Sequence, residues 1–143
     1  MTPEVPVNYL AVIASAISNM VVGTLWFGPL FGKQWIAMMG FTKEQIEKAK
    51  TAGMQKTYAM AAVGALLMAY VMSHTLTFAS TYMQVSGPSA GVSTGFWMWL
   101  GFAVPITMSS VLWEGKSWKL WGLTSGYYLV SLIIMGLILA SWR

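Results

Sequence analysis

The sequence predicts an all-α polytopic membrane protein: four transmembrane helices, with a short cytoplasmic interfacial helix between the first two. Three observations carry this reading. The 143-residue chain is 57% hydrophobic and only 8% charged, where a soluble domain carries about 25% charged residues. So short a chain cannot bury that much apolar surface against water, and most of it needs lipid as its solvent. The charges also cluster, leaving 5–32, 57–113 and 120–142 free of Asp, Glu, Lys and Arg. A spanning helix takes about 20 apolar residues, so the first and last stretches hold one span each and the middle one holds two and a turn. Finally, Lys33, Lys43, Lys48, Lys50 and Lys56 fall in the first connection and Lys116 and Lys119 in the third, against Arg143 alone on the other side. The positive-inside rule places both lysine connections in the cytoplasm and both termini outside.

The whole chain, 1–143, reads as one transmembrane domain with spans at about 7–27, 57–78, 94–112 and 119–140. Met1 to Pro6 contains no Lys or Arg, so a cleaved secretory signal, which opens on a positive segment, is not expected. On the first span Ala11, Ser15, Asn19 and Gly23 recur every four residues. Small residues at that spacing let another helix come close, which matters where hydrophobicity cannot hold helices together. The span ends in Leu25-Trp26-Phe27-Gly28-Pro29-Leu30-Phe31-Gly32-Lys33-Gln34-Trp35. Its aromatics suit a membrane boundary, and Gly-Pro ends or redirects a helix. Thr42-Lys43-Glu44-Gln45 is a capping-box pattern that should start a short polar helix reaching to about Ala52.

The second span carries Thr57, Ala61, Ala65, Ala69, Ser73 and Thr77 at a strict spacing of four, a packing face within the bundle or between protomers. Its natural counterpart is the stripe on the first span. The connection from Thr81 to Ser93 is uncharged, with Ser86-Gly87-Pro88-Ser89 as a turn. The third span contains Pro105, which predicts a kink relieved by Thr107 or Ser109. The fourth contains Gly122, Gly126, Tyr127 and Tyr128 and ends at Trp142-Arg143. Leu112-Trp113-Glu114-Gly115-Lys116-Ser117-Trp118 echoes the end of the first span, which suggests a tandem two-helix repeat.

Several of these stretches carry a family resemblance. Val7-Asn8-Tyr9-Leu10, the Leu25–Trp35 run, Trp99-Leu100-Gly101-Phe102, Leu112-Trp113-Glu114-Gly115-Lys116 and Ile134-Met135-Gly136 together resemble the bacterial and fungal membrane proteins grouped as domain of unknown function 1761. The resemblance covers nearly the whole chain. It implies a small multi-span protein of a cell membrane, a bacterial inner membrane being the expectation, and it brings no catalytic residues.

Candidate sites therefore rest on the residues alone. There is no cysteine, one histidine and no aspartate, so no metal site, cofactor or thiol chemistry is expected. The net charge of +4 comes from lysines beside apolar spans, which points to membrane lipids and not to nucleic acid. Polar groups within a span are the default functional suspects. Asn19 shares its level with Thr107, Tyr127 and Tyr128, either outlining a small polar cavity or serving to join helices. His74 is the one side chain there that titrates near neutrality, and structural hydrogen bonding is its simpler role. Glu114, at the end of a helix, is expected to pair with Lys33, Lys116 or Lys119. No P-loop, nucleophile elbow, metalloprotease motif or dinucleotide fingerprint occurs. The function expected is that of a structural or interaction protein, or of a bundle that binds a lipid or small apolar ligand. The alternative is a small transporter or pore formed by a homo-oligomer, and an enzyme built on Asn19, His74, Glu114 and the tyrosines comes last.

Overall fold

The computed structural model describes residues 4–142; Arg143, the basic residue expected at the far boundary, lies outside the described residues. Seven α-helices follow one another: α1 (Tyr9–Leu25), α2 (Gly32–Met39), α3 (Lys43–Ala52), α4 (Gln55–Met83), α5 (Pro88–Met98), α6 (Val104–Leu112) and α7 (Trp118–Ser141). A π-helical turn, Trp26–Leu30, continues α1, and a second, Trp99–Ala103, joins α5 to α6. Among the described residues there is no strand. Four helical stretches are long and apolar enough to cross a membrane: Tyr9–Leu30, Gln55–Met83, Pro88–Leu112 and Trp118–Ser141.

Local chemistry sets the ends. Asn8 starts α1 by accepting from the Leu10 and Ala11 N–H groups at 3.1 and 3.2 Å, which satisfies two of the donors that a helix start leaves free. The capping box expected at Thr42 is present: Gln45 N–H donates to Thr42 Oγ1 at 3.2 Å, and Thr42 N–H to Gln45 Oε1 at 2.9 Å. Ser117 caps α7 through Leu120 N–H at 3.1 Å. The third helical stretch begins at Pro88 instead of Thr94, so the long connection expected there shrinks to 84–87. Proline lacks an N–H that a helix's first turn does not use, so it starts the helix and does not sit in the turn before it.

Ahead of Pro105, where the sequence predicts a kink, the helix takes π-helical geometry over Trp99–Ala103. A proline ring collides with the carbonyl four residues back, and widening the preceding turn relieves that clash. Thr107 donates to Ala103 O and Val104 O at 2.6 and 3.2 Å. Its hydroxyl thus supports this stretch, though not at the Gly101 carbonyl that Pro105 leaves without its usual donor. At the other turn Gly28 takes φ −112°, ψ −105°, outside helical geometry, and Pro29 follows it.

α7 is the helix around which the others gather, with α5 and α1 packed along it and α4 packed chiefly on α1. The tightest approach is between α5 and α7. A Cβ on Gly91 would collide with the Gly136 carbonyl and come within 2.8 Å of Ala140 Cβ, and one on Gly95 would stand 2.6 Å from Leu132 O. Only glycine lets the two backbones come this close. The core beside this crossing is Ala11, Val12 and Ala16 of α1, Ala65, Ala69, Met72 and Leu76 of α4, and Leu132, Met135 and Leu139 of α7. The stripe on α4 is thus buried at Ala65, Ala69 and Ser73, while Thr57 and Ala61 are exposed.

Gly91→Ala should cost about 1–3 kcal/mol of stability, the usual penalty of overpacking. Gly122→Ala, where nothing lies within 4 Å of the added methyl, should be neutral or stabilising because alanine is the better helix former. Thermal unfolding of both variants in mild detergent checks the pair; equal midpoints would remove the crossing from the account.

Candidate functional site

Polar contacts concentrate where α1 lies antiparallel along α7. Asn8 Nδ2 donates to Trp142 O at 3.0 Å, Ser15 Oγ to Met135 O at 3.5 Å and Asn19 Nδ2 to Ser131 Oγ at 2.6 Å. Tyr127 OH donates to Asn19 O at 3.4 Å, and Trp26 Nε1 to Leu123 O at 3.0 Å. From Asn8 to Asn19 each step up α1 is matched by an equal step down α7, and Tyr127 and Trp26 extend the contacts as one seam. Asn19 and Ser131 are buried, 6% and 0% exposed. The Ser131 hydroxyl accepts from Asn19 and turns its own hydrogen to Met135 Sδ at 3.8 Å. The stripe Ser15, Asn19, Gly23 therefore faces α7 and not α4; a Cβ on Gly23 would lie 3.2 Å from the Tyr127 hydroxyl.

Tryptophans fix the lysine-bearing end of α7. Trp99 Nε1 donates to Ser125 O at 2.9 Å and reaches Ser125 Oγ at 3.1 Å, while Trp121 Nε1 donates to Thr107 Oγ1 at 3.1 Å. A helix carbonyl keeps a second lone pair after accepting its own i+4 N–H, and the Trp26 and Trp99 indoles use it. Both tryptophans open a π-helical turn with the pattern Trp-x-Gly: Trp26-Phe27-Gly28 and Trp99-Leu100-Gly101. An aromatic chain continues from Tyr128 through Tyr127, Phe27 and Trp35 to Phe41, with ring centroids 4.9, 5.2, 5.2 and 5.5 Å apart.

Of the residues singled out from sequence, Asn19 and Tyr127 meet directly. Tyr128 touches Tyr127, and with Thr107 it borders a separate crevice. His74 stands apart on α4. Its Nδ1 lies 2.9 Å from Tyr70 O, and its ring sits tilted against Tyr70 and edge-on to Phe78; a hydrogen bond to that carbonyl requires the proton on Nδ1. Glu114, Lys33 and Lys119 are exposed. Lys116 Nζ donates to Met39 O at 3.1 Å, a cation at the C-terminal end of α2, where the helix dipole favours it. This bond joins the two lysine-bearing connections. Among the described residues no group of three His, Cys, Asp or Glu side chains stands ready for a metal.

Between α4 and the α5–α6 stretch runs a groove that the sequence did not announce. Its wider chamber, about 490 Å³, lies between Thr75 and Met83 of α4 and Ser89, Ser93 and Trp97 of α5. The next chamber, about 460 Å³, is bordered by Leu67, Met68 and Val71 of α4, by Ala103 and Ile106, and by Leu132 of α7. Met98 and Phe102 line both chambers, which are therefore neighbours. Thr75, Ser89, Ser93 and Thr94 bring hydroxyls to the first chamber, and the second is mostly hydrocarbon with Thr107 and Tyr128 at its border. The Gly91–Gly136 crossing and the Ser131 partner of Asn19 also escaped sequence reasoning. Gly91 and Gly95 stand four apart, which was the available signal, but Gly91 fell in a stretch expected to be a connection.

The model of the family described as protein of unknown function (DUF1761) matches residues 10–140, and the chain belongs to that family. No curated protein and no solved structure matches it.

Asn19→Ala and Ser131→Ala should each destabilise the fold, and a double-mutant cycle should return a coupling of about 0.6–1.7 kcal/mol, the range for hydrogen bonds between helices in membranes. Unfolding by SDS titration reads it. Additive effects would mean that the 2.6 Å contact contributes nothing specific.

Proposed function

We propose that the chain is a multi-pass membrane protein that keeps one lipid molecule lodged between its two hairpins, α1–α4 and α5/α6–α7. The observation that carries this is a pair of neighbouring chambers beside α4, both bordered by Met98 and Phe102. The hydroxyl-bearing mouth of the groove beside Ser89 and Ser93 matches the ester region of an amphiphile, and its second chamber matches an acyl chain. Leu67, Val71, Phe102 and Ile106 are all more than half exposed, so a chain enters sideways from the bilayer without crossing a polar barrier. The paired Trp-x-Gly turns favour a tandem origin of the two hairpins.

In this reading the lysine connections face the cytoplasm. α2 and α3 then form an interfacial hairpin whose apolar hollow, bordered by Trp35, Ile36, Phe41, Ile46 and Met54, rests on the inner leaflet. Lys43, Lys48 and Lys50 of α3 suit anionic headgroups there.

Native mass spectrometry of the protein released from mild detergent should show a lipid-mass adduct. Val71→Trp, a substitution at an exposed rim position, should remove it, and Ile13→Trp, on the far side of the bundle, should keep it. An adduct indifferent to both changes would overturn the groove reading. Topology is checked separately with single cysteines. On intact cells Ser86→Cys should react with a membrane-impermeant maleimide and Lys48→Cys should not; the reverse pattern inverts the orientation.

A further inference from the structure

On the other side of α4, at the end away from the lysines, α1, α4 and α7 enclose a second cavity of about 520 Å³. It shares no lining residue with the groove. One wall is a file of hydroxyl side chains, Ser73, Thr77 and Thr81, on successive turns of α4. The facing wall is apolar: Pro6 and Ala11 on one side, Leu139 and the Trp142 indole on the other. Asn8 borders the cavity too; its amide oxygen accepts from Leu10 and Ala11, and one of its two N–H groups donates to Trp142 O.

Ser73 is different. It is 7% exposed, and no group among the described residues hydrogen-bonds its hydroxyl, although its backbone carbonyl accepts from Thr77 Oγ1 at 2.9 Å. Among the described residues no fully buried side-chain polar atom lacks a partner, so the Ser73 hydroxyl keeps its small accessible surface towards the cavity that it lines. A buried hydroxyl in apolar surroundings without a partner is costly, and such a group marks a place for a ligand or water. The surroundings narrow the choice. None of the described lining residues is ionisable, so a charged head would be desolvated without compensation. A hydroxyl both donates and accepts, which suits a polyol, and the Leu139–Trp142 wall suits a hydrocarbon tail.

We propose that this cavity binds a neutral amphiphile with a diol head, of the monoacylglycerol class, its diol at the mouth beside Thr81, its ester carbonyl deeper on Ser73 and its chain against Leu139. The site is independent of the lipid groove. Its size falls within the range of small-molecule sites, and its opening beside the exposed Thr81 gives a path in from the membrane boundary.

The experiment uses the full chain in nanodiscs and titrates 1-monooleoylglycerol, with oleic acid and free glycerol as comparison probes. The wild-type protein should bind the monoacylglycerol and discriminate against both comparison probes. Ser73→Ala should weaken binding by roughly 5–10-fold, the share of one hydrogen bond, while leaving the thermal midpoint unchanged because the hydroxyl holds nothing inside the protein. Thr81→Leu, an exposed position that narrows the mouth, should also weaken binding without a folding penalty. Val71→Trp, in the groove, should leave this binding intact. The proposal fails if the wild type does not bind, if Ser73→Ala binds equally well, or if free glycerol binds as tightly as the amphiphile. A lowered midpoint for Ser73→Ala would likewise overturn it by showing an internal partner for the hydroxyl.

Discussion

Where α5 crosses α7, the Gly91 and Gly136 backbones touch, and the remaining geometry depends on that contact. Gly95 against Leu132 extends the close approach by one turn, which fixes both the depth and the rotation of α5. With α5 held so near, the next turn cannot continue straight past Pro105. The helix widens at Trp99–Ala103, and the widening turns the Trp99 indole onto Ser125 O. The groove lies beside this widened stretch, bordered by Met98, Phe102 and Ala103. A methyl group at position 91 would therefore disturb several features that lie far from it.

The opposite face of α7 is joined differently. Along α1 the contacts are hydrogen bonds spaced by whole turns, from Asn8 through Asn19 to Trp26. In a medium without hydrophobic drive between helices, close backbone packing and hydrogen bonds are the two means of association. α7 uses one on each face: glycine contact towards α5, and side-chain donors towards α1. This explains why the polar residues of the fourth span, Ser125, Tyr127 and Ser131, meet α1 or Trp99 and leave the Gly136 face bare.

Much of this was legible from the chain alone. Four spans follow from gaps between charges, because a helix that crosses lipid must exclude them. The capping box at Thr42 and the packing role of Ala65 and Ala69 follow from spacing. Partner choice does not, since a four-residue repeat says that a face is covered but not by which helix, and so the Asn19 stripe faces α7 instead of α4. The third span was misjudged at its start because nothing charged marks the boundary between Thr81 and Ser93. With Gly91 placed in a connection, the glycine pair could not be seen. The echo at Leu112-Trp113 likewise drew notice away from Trp99-Leu100-Gly101, whose kinship with Trp26-Phe27-Gly28 appears only as a shared π-helical turn. Asn19 and Tyr127 were readable as neighbours because both lie a fixed rise from the same boundary. The cavities were not readable at all, because they are gaps left by bends and tilts.

Both of these cavities border α4, and the chemistry of that helix gives the reason. His74 and Thr75 direct their side-chain donors to their own backbone, at Tyr70 O and Val71 O. A donor satisfied within its own helix is no longer available to draw a neighbour in. α4 is accordingly positioned by small-residue packing at Ala65, Ala69 and Met72 over the middle of its length, with its first ten residues exposed or nearly so. Packing of that kind is dense at the contact and permissive beyond it. To one side the helix diverges from the α5–α6 stretch and leaves the groove; to the other it diverges from α1 and α7 beyond Ala11 and leaves the cavity beside Ser73. The small-residue repeat that seats α4 in the bundle thus also ends in the hydroxyl file of Ser73, Thr77 and Thr81. One periodic pattern serves helix packing where a neighbour is near and lines a cavity where the neighbours part.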